Sequence, residues 1–164
     1  MGAFLRLAFQ PLGAGQAACR ISIRGHPLRS FLDIPAASTR CSRHHPGAPL
    51  DLITPELRQQ LLTDGEASRD NPHFDPYPVV KWFSPCGAAT WLITELDPND
   101  NDAAYGLGDL GMGSPELGHV SVRELTSIRL VRGTLGIERD LHWKADKPLS
   151  MYARLARLAG RIVD

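Results

Sequence analysis

Four ionisable side chains alternate along one short segment, GIERDLHWKADKP (Gly136–Pro148): Glu138, Asp140, His142 and Lys144. If the segment forms a β-strand, at about 135–144, these side chains share one face, because successive residues of a strand point to opposite sides. Carboxylate and imidazole groups can bind a divalent cation, and a lysine beside them can stabilise developing negative charge. The pattern predicts Asp140, His142 and Lys144 as candidate catalytic residues; a solvated or salt-bridged sheet face is the alternative.

Further acids surround a predicted turn, Asp97–Asp102 (DPNDND), with Glu95 just before it and Asp109 farther along. Carboxylates gathered at strand ends can hold Mg²⁺ or Mn²⁺, which polarise a phosphate and lower the pKa of bound water. We therefore expect a candidate metal site built from four residues: Asp97, Asp109, Asp140 and His142. The cofactor stays open, with Mg²⁺ or Mn²⁺ as ions that fit. A hydrated turn is the alternative, because Asp, Asn and Pro are common turn residues.

Two other groups of side chains suit binding. The glycine-rich link Gly111–Gly118 can shape a pocket, with a rim formed by Asp109, Glu116 and His119. A basic ridge on or before the last predicted helix can contact phosphates or an acidic partner; it consists of Lys147, Arg154, Arg157 and Arg161. A solvated helix face is the alternative for this ridge. The three tryptophans are expected in the core, although one left exposed would add base stacking.

Local signals predict the elements that would position these residues. Thr54-Pro55-Glu56 favours a helix start, and Gly65 is its expected stop, with a loop at 66–78. Two strand-like runs, Val79–Ser84 and Ala88–Leu96, are separated by a short turn and predict a β-hairpin. Two more strands are expected, at Ala103–Leu110 and at Leu117–Val120.

The C-terminal part is predicted to contain two helices and the charged strand. Ser121 and Glu124 match a capping box, which favours a short helix to about Ser127. Pro148 opens a final helix, ended by Gly160, whose expected apolar face comprises Met151, Leu155, Leu158 and Ile162. The predicted fold class is α+β: a small, mainly antiparallel sheet of about four or five strands with an N-terminal and a C-terminal helix.

Composition limits the class of protein. The 164 residues suit one domain, and the 18 basic side chains equal the 18 acidic ones. Residues 1–50 contain six arginines and one acid, so residues 51–164 carry 12 basic and 17 acidic side chains. This acidic body does not favour a general nucleic-acid binder. No apolar run approaches the ~20 residues that span a bilayer, and three scattered cysteines indicate a reduced, cytoplasmic setting.

The first fifty residues differ from the rest in composition. They are rich in Arg, Ser, Pro and Gly, and their apolar residues follow no sustained period. We expect residues 1–50 to be a disordered extension or the product of a start assigned too early, and residues 51–164 to form a single α+β domain. A transit peptide and a basic arm that binds an acidic partner or nucleic acid are the alternatives.

Two strings resemble the bacterial family called domain of unknown function 2958: TWLITELDPNDNDAAYGLGDLGMGSPELGHVSVREL and IERDLHWKADKPLSMYARLARLAG. The resemblance covers about 52–162. It implies a small bacterial protein of a kind often carried on plasmids and other mobile genetic elements, with an undetermined biochemical activity. It assigns no catalytic residue, and it leaves residues 1–50 uncovered.

Three functions remain open from the sequence. The first is a small accessory or interaction protein of a mobile element, because no complete catalytic set of residues is present. The second is a metal-dependent nuclease or phosphodiesterase that uses the candidate metal site. The third is a single-stranded nucleic-acid-binding protein that uses the basic ridge. The partner stays unidentified, a protein or a nucleic acid being the candidates, and no membrane association is expected.

Overall fold

The computed structural model describes residues 51–129 and 136–163, together with the backbone of two dipeptide strands. These are β1 (Leu5–Arg6) and β2 (Ser22–Ile23), which pair antiparallel. The remainder of residues 1–50 lies outside the described residues, so the expectation of a disordered or wrongly assigned extension stays a prediction.

Eight further elements follow, in this order: α1 (Pro55–Asp70), β3 (Val80–Phe83), β4 (Thr90–Asp97), β5 (Asp100–Asp109), β6 (Glu116–Ser121), α2 (Val122–Ser127), β7 (Glu138–Arg139) and α3 (Leu149–Ala159). The strands form one five-stranded antiparallel sheet in the order β6-β5-β4-β3-β7. One helix precedes this sheet and another ends the chain. The predicted α+β class, the β3–β4 hairpin and the terminal helices are therefore confirmed.

The sheet carries an apolar core on each face. On one face, strands pack with α1 and α2, and the largest buried side chains there are Trp82 and Trp91. On the other face, Leu92 and Leu107 pack against α3. Burial of these apolar surfaces stabilises the fold on both sides of the sheet. None of the helices in the described ranges has the length and apolar character needed to cross a membrane.

Helix α1 begins where the sequence predicts but does not end at Gly65. The hydroxyl of Thr54 accepts a hydrogen bond from the N–H of Leu57 (3.4 Å), and Pro55 occupies the first turn. The helix continues to Asp70, so the expected loop at 66–78 begins five residues late. Gly65 is needed for a different reason: a Cβ there would lie 2.1 Å from the carbonyl oxygen of Leu96, where α1 crosses β4. Glycine permits this close backbone approach.

Strand β4 extends past the end of β3. Val80, the first residue of β3, lies opposite Ile93, so residues 94–97 have no β3 partner. A β-bulge also shifts the pairing of β4 with β5 between Ile93 and Glu95. Thr94, inside this bulge, is fully buried and donates a 3.2 Å hydrogen bond to the carbonyl oxygen of Tyr105. A bulge changes the direction of neighbouring side chains, and here it affects Glu95.

The predicted charged strand at 135–144 is wrong over most of its described length. Only Glu138 and Arg139 pair with β3, and Leu135 lies outside the described residues. The chain turns at Asp140, because its Oδ1 accepts hydrogen bonds from the N–H groups of His142 and Trp143, both 3.0 Å long. Such a side-chain-to-backbone turn competes with a strand ladder. The alternation of ionisable residues is therefore not the alternation of a sheet face.

The short helix α2 confirms the capping prediction, since Ser121 accepts a 3.0 Å hydrogen bond from the N–H of Glu124. Helix α3 confirms the predicted start and the predicted end, where Gly160 is left-handed with a φ of 67°.

The predicted apolar face of α3 is wrong in part. Leu158 is 82% exposed, whereas the buried side chains of the helix are Leu149, Tyr152, Ala153 and Ala156. The two alanines let the helix approach the sheet closely, and the hydroxyl of Tyr152 is fixed by a 2.7 Å hydrogen bond to Asp146.

Candidate functional site

Asp140, the first candidate catalytic residue, is bound by groups that stabilise the local fold. Besides the two N–H groups in its turn, its Oδ2 lies 3.5 Å from the Nζ of Lys81. Burial alone would raise the pKa of Asp140, but the hydrogen bonds from His142 and Trp143, together with Lys81, hold that pKa below its usual value. His142 and Lys144 are exposed on the following turn. Asp140 is therefore an ionised carboxylate that caps the backbone turn containing His142 and Trp143.

The four residues of the predicted metal site lie in different parts of the fold. Asp97 is at the β4–β5 hairpin, opposite Asp100, whereas Asp109 ends β5 opposite Thr90. The ten residues of β5 span roughly 30 Å at the usual rise of a strand. Asp140 directly follows β7, which pairs with β3, so it lies on the opposite side of β4 from β5. Within the described ranges, no three His, Cys, Asp or Glu residues are grouped so that they could hold a metal ion.

Asp109 is nearly inaccessible, at 3% exposure, and joins two segments of backbone. Its Oδ1 accepts a 2.8 Å hydrogen bond from the N–H of Gly111, and its Oδ2 accepts a 2.9 Å bond from the N–H of Ile162. This carboxylate therefore ties the end of the chain to the glycine-rich link. Of the other two predicted rim residues, Glu116 is exposed at the start of β6, and His119 lines a groove elsewhere on the sheet.

The residues of the predicted basic ridge differ in their surroundings. Lys147 is paired with Asp146 and lies 4.2 Å from the ring centre of Tyr152. The remaining three are exposed on α3 and just after it: Arg154, Arg157 and Arg161. Leu158, one helical turn after Arg154 and next to Arg157, is 82% exposed, and a guanidinium nitrogen of Arg154 lies 3.3 Å from the sulfur of Met151. We call Arg154, Arg157, Leu158 and Arg161 the arginine face.

A groove of about 230 Å³ lies between the second half of α1 and the part of β4 that extends past β3. We call it the Glu95 groove. Ser68 and Arg69 of α1 form one side, and Tyr105 and His119 form another. A smaller depression of about 120 Å³ shares Ser68, Glu95 and Tyr105 with it.

Glu95 is held in this groove without a full set of partners. Its Oε2 is inaccessible to solvent and has no hydrogen-bond partner among the described residues. Burial raises the pKa of Glu95, the hydroxyl of Ser68 lowers it, and the carboxylates of Asp64 and Asp97 raise it further; the net shift is upward. Arg69 is engaged with Asp97, with 3.6 Å between Nη2 and Oδ1.

An aromatic pair forms the wall opposite α1. The rings of Tyr105 and His119 lie 5.0 Å apart and are tilted by 56°. Burial, and then the charge of Glu95, raise the pKa of the Tyr105 phenol. The groove therefore combines an aromatic surface with a partly enclosed carboxylic acid. Such a combination can accept a hydrogen-bond donor or a cation.

Sequence reasoning did not find Ser68, Tyr105 or the role of Glu95. Glu95 was counted among the acids near the turn but was left out of the candidate metal site. One local signal was available: in TWLITELD, Thr94 and Glu95 interrupt an otherwise apolar strand, as expected for a bulge. His119 was expected at a pocket rim, but together with Asp109 and Glu116, which do not line this groove.

Comparison with known proteins gives a family. The sequence model of a family described as "Protein of unknown function (DUF2958)" matches residues 52–163. Searches of curated proteins and of solved structures matched nothing to this chain.

Proposed function

The chain belongs to the DUF2958 family, and we propose that it is an accessory protein that binds an acidic, partly apolar segment of a protein partner on the arginine face. The observation that carries this proposal is the exposure of Leu158, at 82%, among three exposed arginines. The plasmid and mobile-element setting and the cytoplasmic location are parts of the same proposal. They rest on the resemblance and on the cysteine pattern.

Charge and composition of the arginine face support a protein partner. Helix α3 contains no acidic residue, so the positive charge of its exposed side is not neutralised within the helix. Arginine is enriched at protein interfaces and among their energetically important residues, and an exposed leucine adds apolar area that a partner can cover. Acidic groups on the partner would meet these arginines, while an apolar side chain would cover Leu158.

A single-stranded nucleic acid is less well supported as the partner. Base stacking needs exposed aromatic rings, and the one aromatic residue of α3, Tyr152, is only 2% exposed. Residues 51–164 also carry five more acids than bases, which opposes general binding to phosphates.

The nuclease alternative has little geometric support. Asp97 lies opposite the first residue of β5, Asp109 is the last residue of β5, and Asp140 is already bound by backbone N–H groups. Metal-dependent cleavage by the wild type that is lost in an Asp140→Ala, His142→Ala double variant would restore this alternative and would contradict ours.

The experiment is selection from a random peptide display library against the full chain, compared with an Arg154→Glu, Leu158→Asp variant. We expect the peptides selected by the wild type to be enriched in acidic and large apolar residues. We expect these peptides to bind the variant at least tenfold more weakly, since their acids would face a new acid. A Gln59→Glu, Gln60→Asp variant, which introduces acids at two exposed positions of α1, serves as the control.

Two outcomes contradict the proposal. One is selected peptides without acidic enrichment, and the other is equal binding to the wild type and the α3 variant. Titration with a single-stranded oligonucleotide completes the comparison: salt-sensitive binding that the α3 variant loses would favour the nucleic-acid alternative.

A further inference from the structure

We propose that the Glu95 groove binds a protonated amine or guanidinium group, either of a small molecule or of a lysine or arginine side chain. This site is separate from the arginine face. The proposal rests on the shape of the groove, on the unpaired oxygen of Glu95 and on the aromatic wall.

The groove exists because three backbone features coincide. Strand β4 extends past β3, the bulge at Thr94 redirects Glu95, and Gly65 lets α1 pass close to Leu96. Each of these features departs from the geometry of a regular hairpin. Together they leave about 230 Å³ of space beside Glu95, which suits a group of side-chain size better than a nucleotide.

The unpaired Oε2 of Glu95 defines what the ligand must supply. A buried polar atom without a partner is unfavourable, so the carboxylate is a group that a hydrogen-bond donor would stabilise. The hydroxyl of Ser68 contributes to one interaction with this side chain, and Oε2 has no partner among the described residues. Because Oε2 is enclosed, a donor in the groove reaches it only when the side chain of Glu95 turns toward the ligand. An ionised carboxylate accepts most strongly from a charged donor.

The charges around Glu95 select a cation over an anion or a neutral donor. Asp64 and Asp97 lie close enough to influence Glu95, and the nearby Arg69 is engaged with Asp97. His119 and Tyr105 complete the set of titratable groups that face the groove. An added positive charge would therefore meet more negative than positive charge.

The aromatic wall suits the same ligand. A cation over an aromatic face within about 6 Å of its centre is attracted by the ring, and a tyrosine is a favourable partner. Tyr105 lines both the groove and the smaller depression, as Glu95 does. An ammonium or guanidinium group between them would be bound by the carboxylate and by the ring.

The test uses the ¹⁵N-labelled full chain and five probes with a four-carbon chain: butylammonium, butylguanidinium, butanol, butyramide and butyrate. Amide resonances of Glu95, Tyr105 and His119 report binding at the groove. We expect the two cations to shift these resonances with millimolar dissociation constants, and the other three to bind at least tenfold more weakly.

The matched variants are Glu95→Gln and Asp100→Asn. Each removes one negative charge with little change in shape, but Asp100 is exposed beyond the groove lining. Glu95→Gln should weaken cation binding about tenfold or more, and Asp100→Asn should change it by less than about twofold. The spectrum of each variant shows whether it is folded.

Three results overturn the proposal: no shift at the groove with either cation, equal binding of cations and neutral probes, or unchanged binding by Glu95→Gln. A preference for butyramide alone would identify a protonated Glu95 that donates a hydrogen bond, and it too would refute the cation. Blocked tripeptides with a central lysine or arginine, compared with cadaverine and agmatine, then distinguish a protein side chain from a free amine. The class of compound that binds more tightly is then assigned as the source of the cation in the groove.

Discussion

Asp140 and Glu95 are both carboxylates close to the sheet, but their surroundings are opposite. Asp140 accepts two backbone hydrogen bonds and lies beside Lys81, whereas one oxygen of Glu95 is enclosed without a hydrogen-bond partner among the described residues. The pKa of Asp140 is lowered, and that of Glu95 is raised. The difference teaches that a satisfied carboxylate stabilises local structure, while an unsatisfied one would be stabilised by a ligand that donates a hydrogen bond to it.

Other acids in the described ranges resemble Asp140. Asp102 accepts hydrogen bonds from the hydroxyl of Ser121 and the N–H of Arg123, both 2.7 Å long, at the start of α2. Asp75 accepts from the N–H and the hydroxyl of Ser150 at the start of α3. These carboxylates bind backbone donors at helix starts, where N–H groups lack partners. These three carboxylates bind backbone donors, and Glu95 differs from them because one of its oxygens has no hydrogen-bond partner among the described residues.

The largest effect is expected from Gly65→Ala, which tests whether the Glu95 region depends on the contact of α1 with β4. An alanine Cβ would lie 2.1 Å from the Leu96 carbonyl oxygen, so α1 must shift away. We expect the free energy of unfolding to fall by about 3 kcal/mol, although helix propensity alone favours alanine by about 1 kcal/mol. Urea unfolding measures it, with exposed Glu66→Ala as the control. A Gly65→Ala protein as stable as the wild type would contradict the close approach of α1 to β4 at Leu96.

Asp140→Ala is expected to have the next largest effect, because the N–H groups of His142 and Trp143 lose their acceptor. The free energy of unfolding should fall by about 1–2 kcal/mol at neutral pH, as for loss of a helix cap. Since the pKa of Asp140 is lower in the folded chain, its stabilisation is present above the unfolded pKa and is lost as the pH falls through the folded pKa. Equal stabilities of variant and wild type at pH 7 would contradict the capping role.

Glu95→Gln should act in the opposite direction at pH 7 to 8, and by less, because solvent screens this partly exposed carboxylate. The pKa of Glu95 is raised in the folded chain, so its contribution is most favourable below the unfolded pKa and is lost as the pH rises through the folded pKa. Glutamine does not ionise, so the variant should be more stable than the wild type at neutral pH and lose that advantage near pH 4. Chemical unfolding across this pH range measures both curves. If Glu95→Gln destabilises the protein as Asp140→Ala does, the two carboxylates are alike.

Leu158→Ala should have the smallest effect on stability, below about 0.5 kcal/mol, because this side chain is 82% exposed. It provides a baseline against which the other variants are judged. Thermal unfolding of the full chain measures the change. A loss above about 1.5 kcal/mol would mean that Leu158 is packed in solution and unavailable to a partner.

Features that depend on a few consecutive residues could be predicted from the sequence. Thr54 with Pro55, Ser121 with Glu124, and Gly160 each mark a helix end by local backbone chemistry, and the structure has an end at each position. The hairpin of β3 and β4 was equally predictable from two β-branched and aromatic runs around a short turn.

Features that depend on distant residues could not be predicted. The role of Gly65 requires knowledge that α1 crosses β4 at Leu96, and the groove requires the register shift beside Glu95. The alternation around Asp140 had a local competitor, a turn closed by its own side chain, which periodicity does not reveal. Two of the candidates chosen by residue type, Asp109 and Asp140, bind backbone N–H groups, whereas the groove arises from tertiary packing.

The packing of α1 against the end of β4 also bears on strand pairing between separate molecules. Residues 94–97 are a stretch of strand without a β3 neighbour, and such edges can pair with strands of other chains and start aggregation. Helix α1 is packed against this stretch, with Gly65 at the Leu96 carbonyl, and so occupies the space that an incoming strand would need. We therefore expect Gly65, by allowing this contact, to oppose pairing with another chain at this end of β4.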